Sequence, residues 1–246
     1  MKSLARSEVG NVRSNSEDNY VIRDYGKSRV MILADGMGGT TGGEIASKIA
    51  VETIAGYLDK EPGLIDSSDE NKLKDEMAYY FEEANKNILK YAINNPEYEG
   101  MGTTLTTVII KGRRVLITHA GDCRVYLIHG SSMTQLTSDH TFAAELLRSS
   151  SITYEEMKNH PGRHKLVKSL GDNTFLSPDF YGYNIIYGDM LLLCTDGIHS
   201  AIEDSVISDC LRKHNDLEGC LNNLFNAAYE AGSSDNITAL LTHVTP

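Results

Sequence analysis

The stretch TTLTTVIIKGRRVLITHAGDCRVYLIHGSSMTQL, residues 103–136, decides the architecture of this 246-residue chain. It reads as four β-type runs, at 103–110, 114–119, 124–128 and 132–136, with Lys111-Gly112 and His129-Gly130 as turns. Connections this tight favour antiparallel neighbours over crossover units. A doubly wound parallel sheet would need helices between most successive strands, and the middle of the chain lacks them.

Outward toward the N-terminus, residues 20–25 and 29–34 form two more strand-like runs around a Gly26-Lys27-Ser28 turn. Residues 43–59 place Ile45, Ile49, Ile54 and Leu58 at helical spacing, and a loop rich in Asp and Ser follows Pro62-Gly63. A longer helical pattern, 69–93, carries Leu73, Met77, Phe81, Ile88 and Leu89 on its apolar side and stops at Asn94-Asn95-Pro96. Toward the C-terminus, 139–170 reads as a polar, mostly helical insertion, a surface flap. Residues 181–186 and 189–194 read as a hairpin around Tyr187-Gly188. Helices near 203–213 and 216–231 precede a last strand at 237–244. Helices at both ends of a β-rich middle imply sheets with covered faces. The expected fold is therefore α+β, a four-layer α-β-β-α sandwich with two central antiparallel sheets. Without a repeat or linker, residues 1–246 are expected to form a single domain.

Hydrophobic residues make up 41% and charged residues 23%, the balance of a globular protein that can bury a core without disulfides. The net charge of −11 argues against a nucleic-acid backbone as partner. Cys123, Cys194, Cys210 and Cys220 form no Cys-x-x-Cys pair and fit no zinc spacing, so each is read as a structural thiol of a reducing compartment. No apolar signal core opens the chain and no stretch is long enough to cross a bilayer. The expectation is a cytoplasmic protein with neither a nucleic-acid nor a membrane partner.

The chemistry lies in aspartates at the ends of apolar runs. Asp35 closes Val30-Met31-Ile32-Leu33-Ala34 and opens Asp35-Gly36-Met37-Gly38-Gly39. Asp196 closes Met190-Leu191-Leu192-Leu193-Cys194-Thr195. Asp18 precedes Tyr20-Val21-Ile22, and Asp235 precedes Ile237-Thr238-Ala239. Converging carboxylates repel one another unless divalent cations neutralise them. An all-oxygen donor set suits magnesium or manganese. Two ions about 3.5–4 Å apart would lower the pKa of a shared water and supply hydroxide, so no Ser or Cys nucleophile is required. Gly36 leaves a backbone carbonyl free to turn toward a metal beside Asp35. Arg13 stands five residues before Asp18, and its guanidinium fork matches two phosphate oxygens.

Arg13-x-x-x-Glu17-Asp18, Asp35-Gly36-Met37-Gly38-Gly39-x-x-x-Gly43-Glu44, Gly102-Thr103-Thr104, Gly121-Asp122-Cys123-Arg124, Leu136-Thr137-x-Asp139-His140, His160-Pro161-x-Arg163, Asp196-Gly197 and Asp235-Asn236-Ile237-Thr238 occur in this order. Any one of these motifs is weak, but the ordered set is specific and spans nearly the whole chain. The sequence resembles the metal-dependent serine/threonine protein phosphatases of type 2C, in their bacterial form. The resemblance implies a β-sandwich flanked by helices and a centre of two Mn2+ or Mg2+ ions. It implies Asp35 as bridging ligand, Gly36 as carbonyl ligand, and Asp18, Asp196 and Asp235 as further ligands. Glu17 would act through metal-bound water, Asp122 would help hold a third ion, and Arg13 would hold the phosphate. Phosphorylated proteins, a serine/threonine kinase among them, are the expected partners of a monomeric enzyme.

The chain departs from the family in places. Met37 stands where many eukaryotic members have a histidine linked to leaving-group protonation, and methionine donates no proton. Ser16 replaces the usual asparagine and Cys123 the usual serine, and Ser149-Ser150-Ser151 stands in the flap where glycine is common. His119, His140 and His160 are read as hydrogen-bonded structural histidines. Arg163 and His160 are candidates for substrate contact, but a flap-stabilising role is preferred.

Other chemistries fit less well. The loop after Asp35 fails the P-loop pattern, with Glu44 after Gly43, and Thr41 replaces the third glycine of a dinucleotide fingerprint. No cysteine has an arginine a turn downstream, as a thiol phosphatase would require. A non-catalytic phosphoprotein-binding module would have lost metal ligands, whereas the principal acids are present. Another metal-dependent phosphohydrolase, such as a nuclease, would need a basic groove.

Overall fold

The computed structural model describes residues 1–38, 42–175, 177–214 and 216–245; Gly39 and Thr41 of the loop after Asp35 lie outside them. The strands are β1 (Lys2–Glu8), β2 (Asp18–Tyr25), β3 (Ser28–Met37), β4 (Gly102–Thr103), β5 (Leu105–Lys111), β6 (Arg114–Ala120), β7 (Arg124–His129), β8 (Ser132–Gln135), β9 (Asp179–Asn184), β10 (Met190–Cys194) and β11 (Ile237–His243). The helices are α1 (Gly43–Lys60), α2 (Pro62–Asp66), α3 (Glu70–Asn94), α4 (Phe142–Arg148), α5 (Tyr154–Lys158), α6 (Asp196–His199), α7 (Asp204–Arg212) and α8 (Leu217–Glu230). One sheet runs β1-β11-β10-β7-β8 and the other β2-β3-β5-β6-β9, with β4 beside β3; every pairing is antiparallel.

The unbroken apolar runs are explained by sheets covered on both faces. Along β3, Val30, Ile32 and Ala34 join a core with α1 and α3, while Met31 and Leu33 join a core between the sheets. Along β10, Leu192 and Cys194 join a third core with α7 and α8, while Leu191 and Leu193 join the core shared with the sheet that contains β3. Period-2 alternation therefore feeds three apolar interlayers, and the expected four-layer sandwich is present.

The helices follow their sequence signals. Asp69 caps α3, its side chain accepting from the N–H groups of Asn71 and Lys72. Leu73, Met77, Phe81 and Ile88 are buried as expected, and Tyr80 and Ala84 extend that face. No helix among the described residues is long and apolar enough to cross a membrane.

Several expectations need correction. The run at 103–110 is two strands, because Thr104 leaves the ladder to bind the backbone of Asp35. The loop at Pro62 is a one-turn helix, α2, with proline in its first turn, where a missing N–H costs nothing. Residues 181–194 are not a hairpin. β9 pairs with β6 and β10 with β7 and β11, so Tyr187-Gly188 carries the chain from one sheet to the other. Buried Asp189 holds that crossing, accepting from Ile186 N–H at 2.8 Å and contacting His129 at 2.7 Å.

The flap at 139–170 is less helical than expected. It contains only α4, of seven residues, and α5, of five. Ser150 ends α4 with φ 57°, a left-handed conformation that glycine adopts without penalty. Pro161 and Gly162 keep the rest irregular. Phe142 N–H to Lys165 O and Ala143 N–H to Gly162 O fold the insertion back on itself. An unpredicted edge strand, β1, pairs with β11, and the short helix α6 was also unforeseen.

Candidate active site

The site lies where strands of both sheets end. Asp18 is the first residue of β2 and Asp35 the eighth of β3, and the two are direct partners across the ladder. Asp196 opens α6 immediately after Thr195 leaves β10. Asp122 lies between β6 and β7, at the crossing from one sheet to the other, and Asp235 lies just before β11. Arg13, Glu17, Asp35, Gly36, Met37, Asp122, Asp196 and Asp235 line one open cavity of about 610 Å3; Asp18, the ladder partner of Asp35, is 7% exposed and does not line it.

Backbone contacts hold these side chains. Asp35 N–H donates to Thr104 Oγ1 at 2.9 Å, and Asp35 O accepts from Thr104 N–H at 2.8 Å and Thr103 Oγ1 at 2.9 Å. The Gly102-Thr103-Thr104 motif is thus a clamp on the Asp35 backbone. Gly36 N–H donates to Glu17 O, and a Cβ on Gly36 would lie 2.1 Å from Gly43 O and 2.7 Å from Glu17 O. Only glycine allows the Glu17 loop, β3 and the start of α1 to meet there. Asn236 fastens the other side, donating to Val9 O and Asn15 O and accepting from Glu17 N–H.

The electrostatics are those of converging acids that share few counter-charges. Burial, then Asp18, Asp196, Asp122 and Asp235, push the Asp35 carboxyl well above the usual range. Burial pushes Asp18 up to about 7, against hydrogen bonds from Thr238 and Thr195; Thr195 Oγ1 donates to Asp18 Oδ2 at 3.1 Å. Burial and Asp196 likewise raise Asp122. Burial would also raise Asp196, but His164, His199 and Arg13 outweigh it and hold this carboxyl low. The set contains a carboxylate stabilised in its ionised form beside others that resist ionisation.

Two observations fit the site to a hard cation. Asp18 Oδ1 is buried without a hydrogen-bond partner, and a buried oxygen in that state normally has one. Every donor in the set is oxygen, the chemistry that magnesium and manganese take. Among the described residues no three His, Cys, Asp or Glu side chains form a ready-made metal cage. An ion that keeps several waters needs only one or two carboxylates, so the looser arrangement remains compatible with binding.

Arg13 reaches the site, but its Nη2 is paired with Asp235 Oδ2 at 2.7 Å, and Glu17 is 3.9 Å away. The arginine and one proposed ligand therefore neutralise each other here. Ser16 Oγ is buried and unpartnered, as expected if a longer side chain usually fills this position. Cys123 Sγ lies 3.1 Å from Thr104 Oγ1, one bond removed from Asp35.

His119 and His140 are buried and each makes a contact through Nδ1. Their rings stack at 4.8 Å; His119 Nδ1 lies 2.8 Å from Thr106 Oγ1, and His140 Nδ1 accepts from Gly121 N–H at 3.1 Å. His160 Nδ1 accepts from Gly162 N–H and its ring leans on Phe142, which supports the flap-stabilising reading. Arg163 lines the cavity. Two histidines escaped the sequence reading. His164 extends from the flap to within 3.7 Å of Asp196 Oδ2, and His199 Nε2 donates to Asp122 O at 3.0 Å. Neither has a motif; tertiary placement alone makes them site residues.

The arrangement has counterparts in known proteins. The protein phosphatase 2C family model matches residues 11–242. The protein phosphatase PhpP of Streptococcus pneumoniae is 36% identical over 96% of this chain and 94% of its own. The crystal structure of serine/threonine phosphatase Stp1 from Staphylococcus aureus superposes with a TM-score of 0.92 at 29% identity, covering 100% of this chain and 95% of that one. The catalytic domain of the serine/threonine protein phosphatase PstP, solved with two manganese ions, gives a TM-score of 0.85 at 31% identity, covering 100% and 98%. The chain belongs to the protein phosphatase 2C family.

Proposed function

We propose that this protein hydrolyses phosphoserine and phosphothreonine in proteins, using two Mn2+ or Mg2+ ions. The observation that carries the reading is the Asp18–Asp35 pair, two carboxylates facing across a ladder with Asp196 beside them. Like charges in that position destabilise a sheet unless a cation lies between them. The family match and the two manganese ions of PstP support the same chemistry.

Asp35 would bridge the two ions, with Gly36 O, Asp18, Asp196 and Asp235 completing their protein ligands and Glu17 acting through water. Asp122 would help hold a third. Bound there, the ions would lower the pKa of a water between them and offset the charge gathering on the phosphoryl oxygens. The residues supply aim and selection. Thr103 and Thr104 fix the Asp35 backbone, so its carboxylate does not drift as charge builds. Arg13 exchanges Asp235 for two phosphate oxygens, a bidentate contact that its fork geometry suits. Met37, at the cavity wall, carries no proton, so the leaving serine or threonine oxygen takes its proton from elsewhere. A serine/threonine kinase is an expected substrate on family grounds.

Release of phosphate from a phosphothreonine peptide, with manganese and then with excess chelator, tests the reading. Turnover that needs manganese and spares a phosphodiester supports it; hydrolysis unaffected by chelator overturns it.

A further inference from the structure

α6 is a single turn, with Asp196 at its start and His199 at its end. The His199 ring spans the gap to the β6–β7 crossing, and its Nε2 meets Asp122 O at 3.0 Å. A carbonyl only accepts, so the ring must donate, which places a proton on Nε2. The crossing is fixed from its other side by His140, which accepts from Gly121 N–H through Nδ1 and donates its own N–H to Gly121 O at 2.8 Å. The backbone around Asp122 is thus held between two histidines, and among the described residues the His199 bond ties it to the helix that carries Asp196.

The two aspartates come from different connections, one between the sheets and one after β10. The β7–β10 ladder, with Arg124 opposite Cys194, brings the two connections side by side, and the His199 bond fixes the turns that continue beyond its end. We propose that His199 is a positioning residue whose Nε2–H···O bond to Asp122 sets the spacing and aim of the Asp122–Asp196 pair, and so the affinity for the ion that the pair holds. The inference rests on the metal-dependent reading above. It goes beyond that reading by assigning a role to a residue outside the ligand set.

The atom used supplies the test. A glutamine amide can place its nitrogen near the position of Nε2, whereas an asparagine amide falls short of it. Manganese binding is measured by the loss of the free Mn2+ electron paramagnetic resonance signal, alongside p-nitrophenyl phosphate turnover as a function of manganese. His199→Asn should weaken the weakest class of bound manganese about tenfold and raise the manganese needed for half-maximal rate by a similar factor. His199→Gln should recover most of that loss. In a D122A background, His199→Asn should add nothing further, because the pair is already broken. Equal effects of Asn and Gln, wild-type binding in H199N, or an undiminished effect in D122A would each overturn the proposal. Melting temperatures of the same proteins separate this from a packing role, which would lower stability without shifting the manganese dependence. A wild-type protein that binds no manganese would overturn the metal-dependent reading itself.

Discussion

Asp18 and Asp35 face each other across β2 and β3 as a register pair, Asp18 buried and Asp35 half-buried in the cavity wall, and both are pushed toward their protonated forms. A pair of like charges in that position opposes the fold unless something positive lies between them. The site is therefore a place where function and stability pull in opposite directions.

Replacing Asp35 with asparagine separates the two. Asn keeps the shape, and the backbone clamp from Thr103 and Thr104 does not use the side chain. In chelator, D35N should be more stable than the parent by about 1 kcal/mol, because a repulsive charge opposite Asp18 is gone. Its phosphatase rate at saturating manganese should fall on the order of 1,000-fold. Urea unfolding in EDTA, paired with turnover, checks both; a D35N protein less stable than the parent would contradict this account of the pair.

Arg13 should behave differently. Its ion pair with Asp235 is partly exposed, so Arg13→Ala should cost less than about 1 kcal/mol of stability. Loss of the guanidinium should raise KM for a phosphopeptide about tenfold while changing kcat less. Steady-state kinetics on a phosphothreonine peptide measure the split.

Gly36 tests the close approach of three segments. The obstacle to a Cβ is backbone oxygen, which cannot rotate away. Gly36→Ala should destabilise the protein by about 2–4 kcal/mol and lower turnover even where it remains folded. Denaturant midpoints and activity in the folded range provide the check.

Much of this was legible in the sequence. Val30 to Ala34 and Met190 to Cys194 are apolar throughout, and Ile237 to Leu241 but for Thr238, because each lies in a sheet covered on both faces, and the acids after or before them mark where strands end. Tyr187-Gly188 misled because a turn between paired strands and a crossing between sheets use the same residues; the difference is Asp189, satisfied by Ile186 and His129. β1 was hidden because its alternation carries Arg6 and Glu8 at an edge, where charge is tolerated. His164 and His199 lacked any local signal, since their contacts with Asp196 and Asp122 join segments 32 and 77 residues apart.

Acid should also act on the fold through His119. Burial, and then His140, push this imidazole down to about 3, so the folded protein holds it neutral while the unfolded chain protonates it near 6.5. The unfolded state then binds more protons between those values, and stability falls as pH drops from about 6.5 toward 3. One such group contributes up to ~1.4 kcal/mol per pH unit. His119→Asn should flatten that part of the profile, read as the difference in urea midpoints between pH 7.5 and pH 5. An unchanged slope would show that His119 titrates alike in both states.

The most direct test of the central claim is anomalous diffraction from crystals soaked in manganese. Two peaks should appear in the cavity, with Asp35 touching both and Asp18, Asp196 and Asp235 completing their protein contacts. A cavity without anomalous signal at saturating manganese, or ions bound away from these four carboxylates, would contradict it.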